Sequence, residues 1–414
     1  MAKCRFCENP LEHVVVDLKN QPSANRLLSN MDLRKIKLGK REWKSRLTTY
    51  ICENCSLVQL GNITAPEELF TNDYVYFSSF SNEWVEHAKQ FVDEIIPKFK
   101  LTNNSRVLEI GSNDGYLLQH FMFQNIACQG IDPAGQAAKA AAEKGVKTIV
   151  GFFGKNTSKQ IMKDFGPCDL IIGNNVFAHV PNIREFINAI QYCLSENGVV
   201  SLEFPHLASL VKHTQFDTIY DEHYFYHSII ALTKIFSEFN LKIIEVNKLP
   251  THGGSLRIFL THEANYTYLI DRSVSRVLNE ELAMKLDHKK GFQELQKKTE
   301  SIREDTLNFI KKRREEGQII VAFGAAAKGN IFLNYCGISS NDIAFVVDDT
   351  PAKQGKFLPG SHIPVVAANA IRNIKPNIII ILPWNFREEL CKKLNFIKEW
   401  DGQLVTFIPE IKIS

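Results

Sequence analysis

Short apolar runs, each closed by a turn, recur along most of this chain. Runs at 106–110, 128–132, 147–151, 169–173, 198–203, 242–247 and 255–262 have the length and side-chain types of strands, and helix-like segments lie between most of them. This alternation predicts a mostly parallel sheet. A long charged helix is read over 284–316. Beyond it, 318–324, 343–349 and 377–382 repeat a strand–helix–strand order, predicting a second Rossmann-like unit. Three segments follow, 1–75, 76–285 and 286–414, as expected for a chain of 414 residues.

The first run of the middle segment carries the strongest chemical signal. Val107-Leu108-Glu109-Ile110 ends in a carboxylate and enters the turn Gly111-Ser112-Asn113-Asp114-Gly115, with a helix expected from about Tyr116. A doubly wound sheet makes its first ligand crevice there, at the carboxyl end of a parallel strand. The next strand, Gln129-Gly130-Ile131-Asp132, also ends in an acid, placed to accept both hydroxyls of a ribose. The glycine spacing is not G-x-G-x-x-G and no phosphate-loop lysine follows, so a ligand with a ribose but no pyrophosphate fits better. The strand Asp169-Leu170-Ile171-Ile172 runs into Gly173-Asn174-Asn175-Val176, at the lip of the same site. Such turns also occur by chance, but together these resemble the nucleoside site of class I S-adenosylmethionine-dependent methyltransferases. The fold class expected is α/β: that Rossmann-like domain, flanked by a small N-terminal zinc-binding domain and a C-terminal Rossmann-like domain.

Composition changes this picture little. A formal charge of +3 gives no case for nucleic acid, and no apolar run approaches the roughly twenty residues of a membrane span. The N-terminus lacks the apolar core of a secretory signal. Four of nine cysteines form the pairs Cys4-x-x-Cys7 and Cys52-x-x-Cys55, which points to metal in a reducing cytoplasm rather than disulfides. Two such knuckles can place four thiolates on one structural zinc, leaving no open coordination position. A redox pair is the alternative, but it needs a thioredoxin-like context that the sequence does not offer.

The densest titratable group is Tyr220-Asp221-Glu222-His223, followed by Tyr224, Tyr226 and His227. It lies beyond the strand Val199-Val200-Ser201-Leu202-Glu203, on the crevice side of the sheet. A base, an acid to orient it and a phenol are the parts of a proton-abstraction site. In the third segment, Gly324-Ala325-Ala326-Ala327-Lys328-Gly329-Asn330 opens a helix with a glycine turn and a lysine. That suits a phosphate group, or equally a glycine that allows close helix packing.

With these pieces in order, the whole chain resembles the zinc-containing nucleotide-sugar C-methyltransferases. The resemblance rests on both cysteine knuckles, Gln21-Pro22-Ser23-Ala24-Asn25, Tyr76-Phe77-Ser78-Ser79 and the Glu109–Gly115 turn. It continues through Asn175-Val176-Phe177-Ala178-His179-Val180, Tyr220-Asp221-Glu222-His223, His252-Gly253-Gly254-Ser255-Leu256-Arg257 and the Gly324–Asn330 turn. It implies catalytic roles for His223 as base, with Glu222, Tyr220, Tyr76 and His179 around it. It implies that Glu109, Gly111, Asn113, Gly115, Asp132 and Asn175 hold S-adenosylmethionine, and that Lys328 and Asn330 touch the nucleotide sugar. Cys4, Cys7, Cys52 and Cys55 would bind structural zinc. One departure is the turn Ser112-Asn113-Asp114, which lacks an extra glycine.

The implied substrate is a 4-keto-6-deoxyhexose on thymidine diphosphate, methylated at C-3 beside the ketone. A positioned histidine removes the proton, a step worth roughly 10²–10⁴ in rate, and hydrogen-bond donors such as Tyr76, Tyr220 or His179 hold the enolate oxygen. Proximity of carbon and methyl contributes several kcal/mol more. A sugar O- or N-methyltransferase would use the same scaffold without a carbon acid; a non-catalytic binding protein would have a degenerate cofactor fold, and the intact Glu109, Gly111, Asp132 and His223 argue against it. The partner expected is the small molecule alone, with neither nucleic acid nor membrane, on a cytoplasmic monomer or weak homo-oligomer.

Overall fold

The structure is a computed structural model that describes residues 2–69, 77–80 and 82–414. Strands β1 (His13–Pro22), β2 (Lys44–Ile51) and β3 (Val58–Leu60) form an antiparallel sheet. The middle of the chain supplies β4 (Arg106–Ile110), β5 (Ala127–Asp132), β6 (Thr148–Val150), β7 (Cys168–Asn174) and β8 (Leu194–Pro205). Then come β9 (Phe225–Tyr226), β10 (Leu241–Leu249) and β11 (Ser255–His262). β9 joins the first sheet beside β3, so that sheet takes its fourth strand from the loop region after β8.

The central sheet has the order β10-β11-β8-β7-β4-β5-β6. Only β11 runs against its neighbours. Four of the five residues of β4 are buried, as are residues 170–173 of β7, which is what a strand covered on both faces requires. The chain winds outward from β4 through β5 in one direction and through β7 in the other. The crevice therefore opens at the carboxyl ends of β4 and β7, the switch point of the sheet.

The third sheet comprises β12 (Ile320–Phe323), β13 (Val346–Val347), β14 (Val365–Val366), β15 (Ile378–Ile381), β16 (Gln403–Thr406) and β17 (Lys412–Ile413). Its order, β14-β13-β12-β15-β16-β17, is that of a doubly wound nucleotide fold with an antiparallel edge. Its switch point lies between β12 and β15. One buried apolar cluster runs unbroken from Phe6 and Leu18 through Leu108 and Phe204 to Phe332 and Phe407. The three sheets therefore share a core.

Two expectations need correction. The helix read over 284–316 is really a helix over Leu295–Glu315, preceded by a 3-10 turn at Lys289–Phe292 and a separate helix Arg272–Ala283. Lys285 is left-handed (φ 59°), and a side chain at Gly291 would run into its carbonyl. Charge patterning cannot register that backbone reversal. The strand read over 343–349 pairs only at Val346–Val347, although Ile343 and Phe345 are buried with it.

Candidate active site

The cysteine knuckles come together across the first sheet. Cys4 Sγ lies 3.6 Å from Cys55 Sγ and Cys7 Sγ 3.4 Å from Cys52 Sγ, with all four sulfurs within 4.8 Å of one another. Sulfurs about 2.3 Å from one tetrahedral ion stand roughly 3.8 Å apart, so the set fits zinc. Each knuckle is closed by a left-handed residue after its second cysteine, Glu8 and Ser56, both at φ 62°. Gln59 Nε2 donates to Cys4 Sγ at 3.1 Å, support of the kind that surrounds a structural metal.

A cleft of about 1600 Å³ opens where the three sheets meet. That exceeds the roughly 300–1,000 Å³ of a one-ligand pocket. At its cofactor end, Gly111 takes φ 69°, and a side chain there would strike Val176. Asn113 N and Ala134 N each donate to one oxygen of Asp132, at 2.9 and 2.8 Å. Burial raises the Asp132 carboxyl, against those two bonds. Burial also raises Glu109 well above the carboxylate range, with Asp132 and Asp114 adding to it.

Glu109 Oε2, Asp114 Oδ1, Asn174 Oδ1 and both amide atoms of Asn175 are buried with no hydrogen-bond partner among the described residues. Clustered acids and waiting acceptors fit a ligand with a ribose and positive charge, the donor set S-adenosylmethionine needs. Asp132, Asn113, Gly111 and Asn175 line the cleft, while Glu109 and Gly115 lie behind its wall. Phe152 and Phe153, which sequence reasoning passed over, line it beyond β6. Their one sequence signal was an aromatic pair directly after the third strand.

The reaction end is built around His223. Its Nδ1 lies 2.8 Å from the Thr218 carbonyl, which can only accept, so Nδ1 carries the proton and Nε2 is the acceptor. The Tyr220 hydroxyl, 2.8 Å from Nε2, donates to it. Burial drives the imidazole well below its usual range, and His179, Lys328 and His252 push the same way, so His223 is neutral. The His179 ring stands edge-on at 4.8 Å. Burial lowers His179 to about 4, against a backbone hydrogen bond to Glu222.

Glu222 points to the first sheet instead of to His223. Its Oε1 accepts from Asn25 Nδ2 at 2.7 Å, and Asp221 accepts from Ala24 N at 3.1 Å. Burial, with Asp221 alongside, lifts Glu222 to about 8. The Ser23-Ala24-Asn25 segment thus lines the cleft and braces the loop that carries Asp221 and Glu222.

Between the two ends stands Trp84, stacked on His87 at 5.0 Å and edge-on to His252 at 5.5 Å. Behind it, Glu203 ends up ionised. Burial opposes that, but His87 and Arg257 hold the carboxyl at about 2, Arg257 donating at 2.6 Å. Lys328 lines the cleft and donates to the His252 carbonyl at 3.1 Å. Asn330 is buried off the wall, its Oδ1 bonded to Asn334. Tyr76 lies outside the described residues. His252, Asp217 and Trp384 are the functional-looking residues that sequence reasoning left without a role, and only the quoted His252-Gly253-Gly254 motif hinted at any of them.

Comparison with known proteins decides the family. A zinc binding domain matches residues 4–70, a methyltransferase domain 84–246 and a C-methyltransferase C-terminal domain 250–409. C-methyltransferase NovU of Streptomyces niveus is 30% identical over 411 residues, 99% of this chain and 96% of that protein. The chain belongs to the C-methyltransferase family. This C-methyltransferase uses S-adenosylmethionine, and the four cysteines of its zinc binding domain lie close enough together to hold one ion.

Among solved structures, a methyltransferase from Anabaena variabilis overlays 41% of this chain and 83% of its own (TM-score 0.34, 14% identity). Magnesium protoporphyrin IX methyltransferase from Synechocystis overlays 43% and 84% (TM-score 0.34, 15% identity). At such scores these overlays carry no argument. No helix among the described residues is long and apolar enough to cross a membrane.

Proposed function

We propose that this C-methyltransferase methylates the carbon beside the ketone, C-3, of a 4-keto-6-deoxy sugar carried on a nucleoside diphosphate. The observation that supports this most is the fixed tautomer of His223. With Nδ1–H committed to the Thr218 carbonyl, Nε2 is a neutral acceptor at the cleft wall, the form a general base needs. Tyr220 donates to that nitrogen until substrate displaces it.

His223 Nε2 takes the proton from the sugar carbon, and the C–H pair becomes the enolate double bond while the carbonyl pair moves to oxygen. Tyr220, on the cleft wall, donates to that oxygen. S-adenosylmethionine, when bound, supplies the methyl that the enolate carbon takes. His223 then returns its proton to solvent. Asp132, Asn113 and Asn175 hold the cofactor, with Glu109 behind them. The nucleoside diphosphate lies toward the C-terminal unit. The units 1–75, 76–285 and 286–414 each supply one wall.

Incubation with S-adenosylmethionine and a panel of nucleotide 4-keto sugars, with product masses and carbon labelling read out, tests the reading. A methyl on carbon supports it. A methyl on oxygen or nitrogen, or no product from any 4-keto sugar, overturns it.

A further inference from the structure

One cation of the cleft wall has an odd set of neighbours. Lys328 stands in the first turn of the helix Ala327–Cys336, at the switch point of the third sheet. Its ammonium donates to the His252 carbonyl at 3.1 Å and lies 5.1 Å over the Trp384 ring. No carboxylate among the described residues comes within 4 Å of it. Its nearest acid is Asp217, fully buried and acting through space. Asp217 is itself gripped by Trp384, whose indole N–H donates to Oδ2 at 2.7 Å, while Oδ1 has no partner among the described residues. A side chain at Gly253 would run into the Trp384 ring, so the third sheet packs tightly onto the loop that carries His252.

An ammonium on the cleft wall whose acceptor is a neutral carbonyl is poised to meet an anion. Its charge falls on His223 and His252, the groups of the reaction end. Alone, it opposes uptake of a proton by His223. With an enolate beside it, the two cations, His223-H⁺ and Lys328, are balanced by the enolate and Asp217.

On the C-methylation reading above, we propose that Lys328 is a catalytic residue, the electrophile that holds the substrate's carbonyl oxygen as it becomes an enolate, and that Asp217, fixed by Trp384, is the positioning residue that keeps it charged. Lys328 then serves the reacting carbon instead of the diphosphate. Burial lowers the Lys328 ammonium and Asp217 opposes that, which is the relation this pairing requires. The titratable groups facing Lys328 are Asp217, His223 and His252, with His87 and Glu203 behind His252.

The test is deuterium wash-in from heavy water to the carbon beside the ketone, with S-adenosylhomocysteine in place of the methyl donor, alongside thymidine diphosphate affinity by calorimetry. Lys328→Met is expected to slow exchange at least about 100-fold while thymidine diphosphate affinity stays within about threefold, and Lys328→Arg to retain exchange within about tenfold. Exchange at the wild-type rate in Lys328→Met, or a loss of thymidine diphosphate affinity that matches the loss of exchange, overturns the proposal and leaves C-methylation standing. In Asp217→Asn the alkaline limb of the exchange profile is expected to move down by at least about half a pH unit. An unmoved limb with lower amplitude at every pH makes Asp217 merely structural and overturns its positioning role. A wild type that exchanges no 4-keto nucleotide sugar overturns the C-methylation reading itself, and this proposal with it.

Discussion

The two ends of the cleft are built on opposite plans. The cofactor end comes from one sheet and consecutive strands: the turn after β4, the acid closing β5 and the asparagines ending β7. Its polar groups are side chains at strand ends, with Asp132 held by two backbone N–H groups of the turns that follow. The reaction end is assembled from distant pieces. Asn25 comes from the segment after β1, Tyr220 and His223 from the loop after β8, His252 from the turn before β11, Lys328 from the helix after β12 and Trp384 from the turn after β15. Cofactor binding therefore rests on a topology, and the chemistry rests on how separate units are clamped together.

Removing the zinc should show this division most sharply. The knuckles hold β1, and β1 feeds the Ser23-Ala24-Asn25 segment that braces Glu222. A chelator, or Cys52→Ala/Cys55→Ala, is expected to end turnover and release the metal, while S-adenosylmethionine affinity falls less than about tenfold. Metal analysis beside calorimetry checks both halves. Equal losses at both ends would erase the distinction.

His223→Ala should come next. Turnover and deuterium exchange are expected to fall by at least about two orders of magnitude with cofactor affinity unchanged. Equal exchange in both proteins would hand the base role to Tyr220, which lies on the acceptor nitrogen.

Asp132→Ala strikes the other end. A charged acceptor of ligand hydroxyls is worth about 1.5–3 kcal/mol per bond, so S-adenosylmethionine affinity should drop at least about tenfold while exchange at saturating S-adenosylhomocysteine persists. Unchanged affinity in calorimetry would remove Asp132 from the site.

The smallest effect concerns Glu222. The folded protein holds its proton up to about pH 8, whereas an unperturbed glutamate releases it near 4.5. The folded state binds the extra proton in that window, so stability from this group falls as pH rises through it. Glu222→Gln is expected to flatten the fall of Tm between pH 5 and 8 by a few degrees, at about 2–4 °C per kcal/mol. A slope identical to the wild type would mean that Glu222 ionises freely in the fold.

Much of this was legible beforehand. The strands at 106–110, 169–173 and 255–262 were placed within a residue or two, because short continuous apolar runs bounded by turns are too short for buried helices. The helix read over 284–316 fails at Lys285, where a left-handed backbone breaks a pattern that the charges continue. The knuckles were legible because two thiolates on one ion need a fixed short spacing. Asp217 and Trp384 were not, because each is an unremarkable residue until the other, 167 positions away, is brought to 2.7 Å.

The sequence by itself determined the elements, the cofactor turn and the metal ligands, since these depend on contacts within a strand, a turn or a knuckle. Tertiary structure alone decided that Glu222 faces Asn25 instead of His223, that His223 presents Nε2 to the cleft, and that Lys328 sits beside the reacting groups. Those facts are relations between surfaces of three sheets. They are fixed by the burial of one shared core, whose packing no local periodicity encodes.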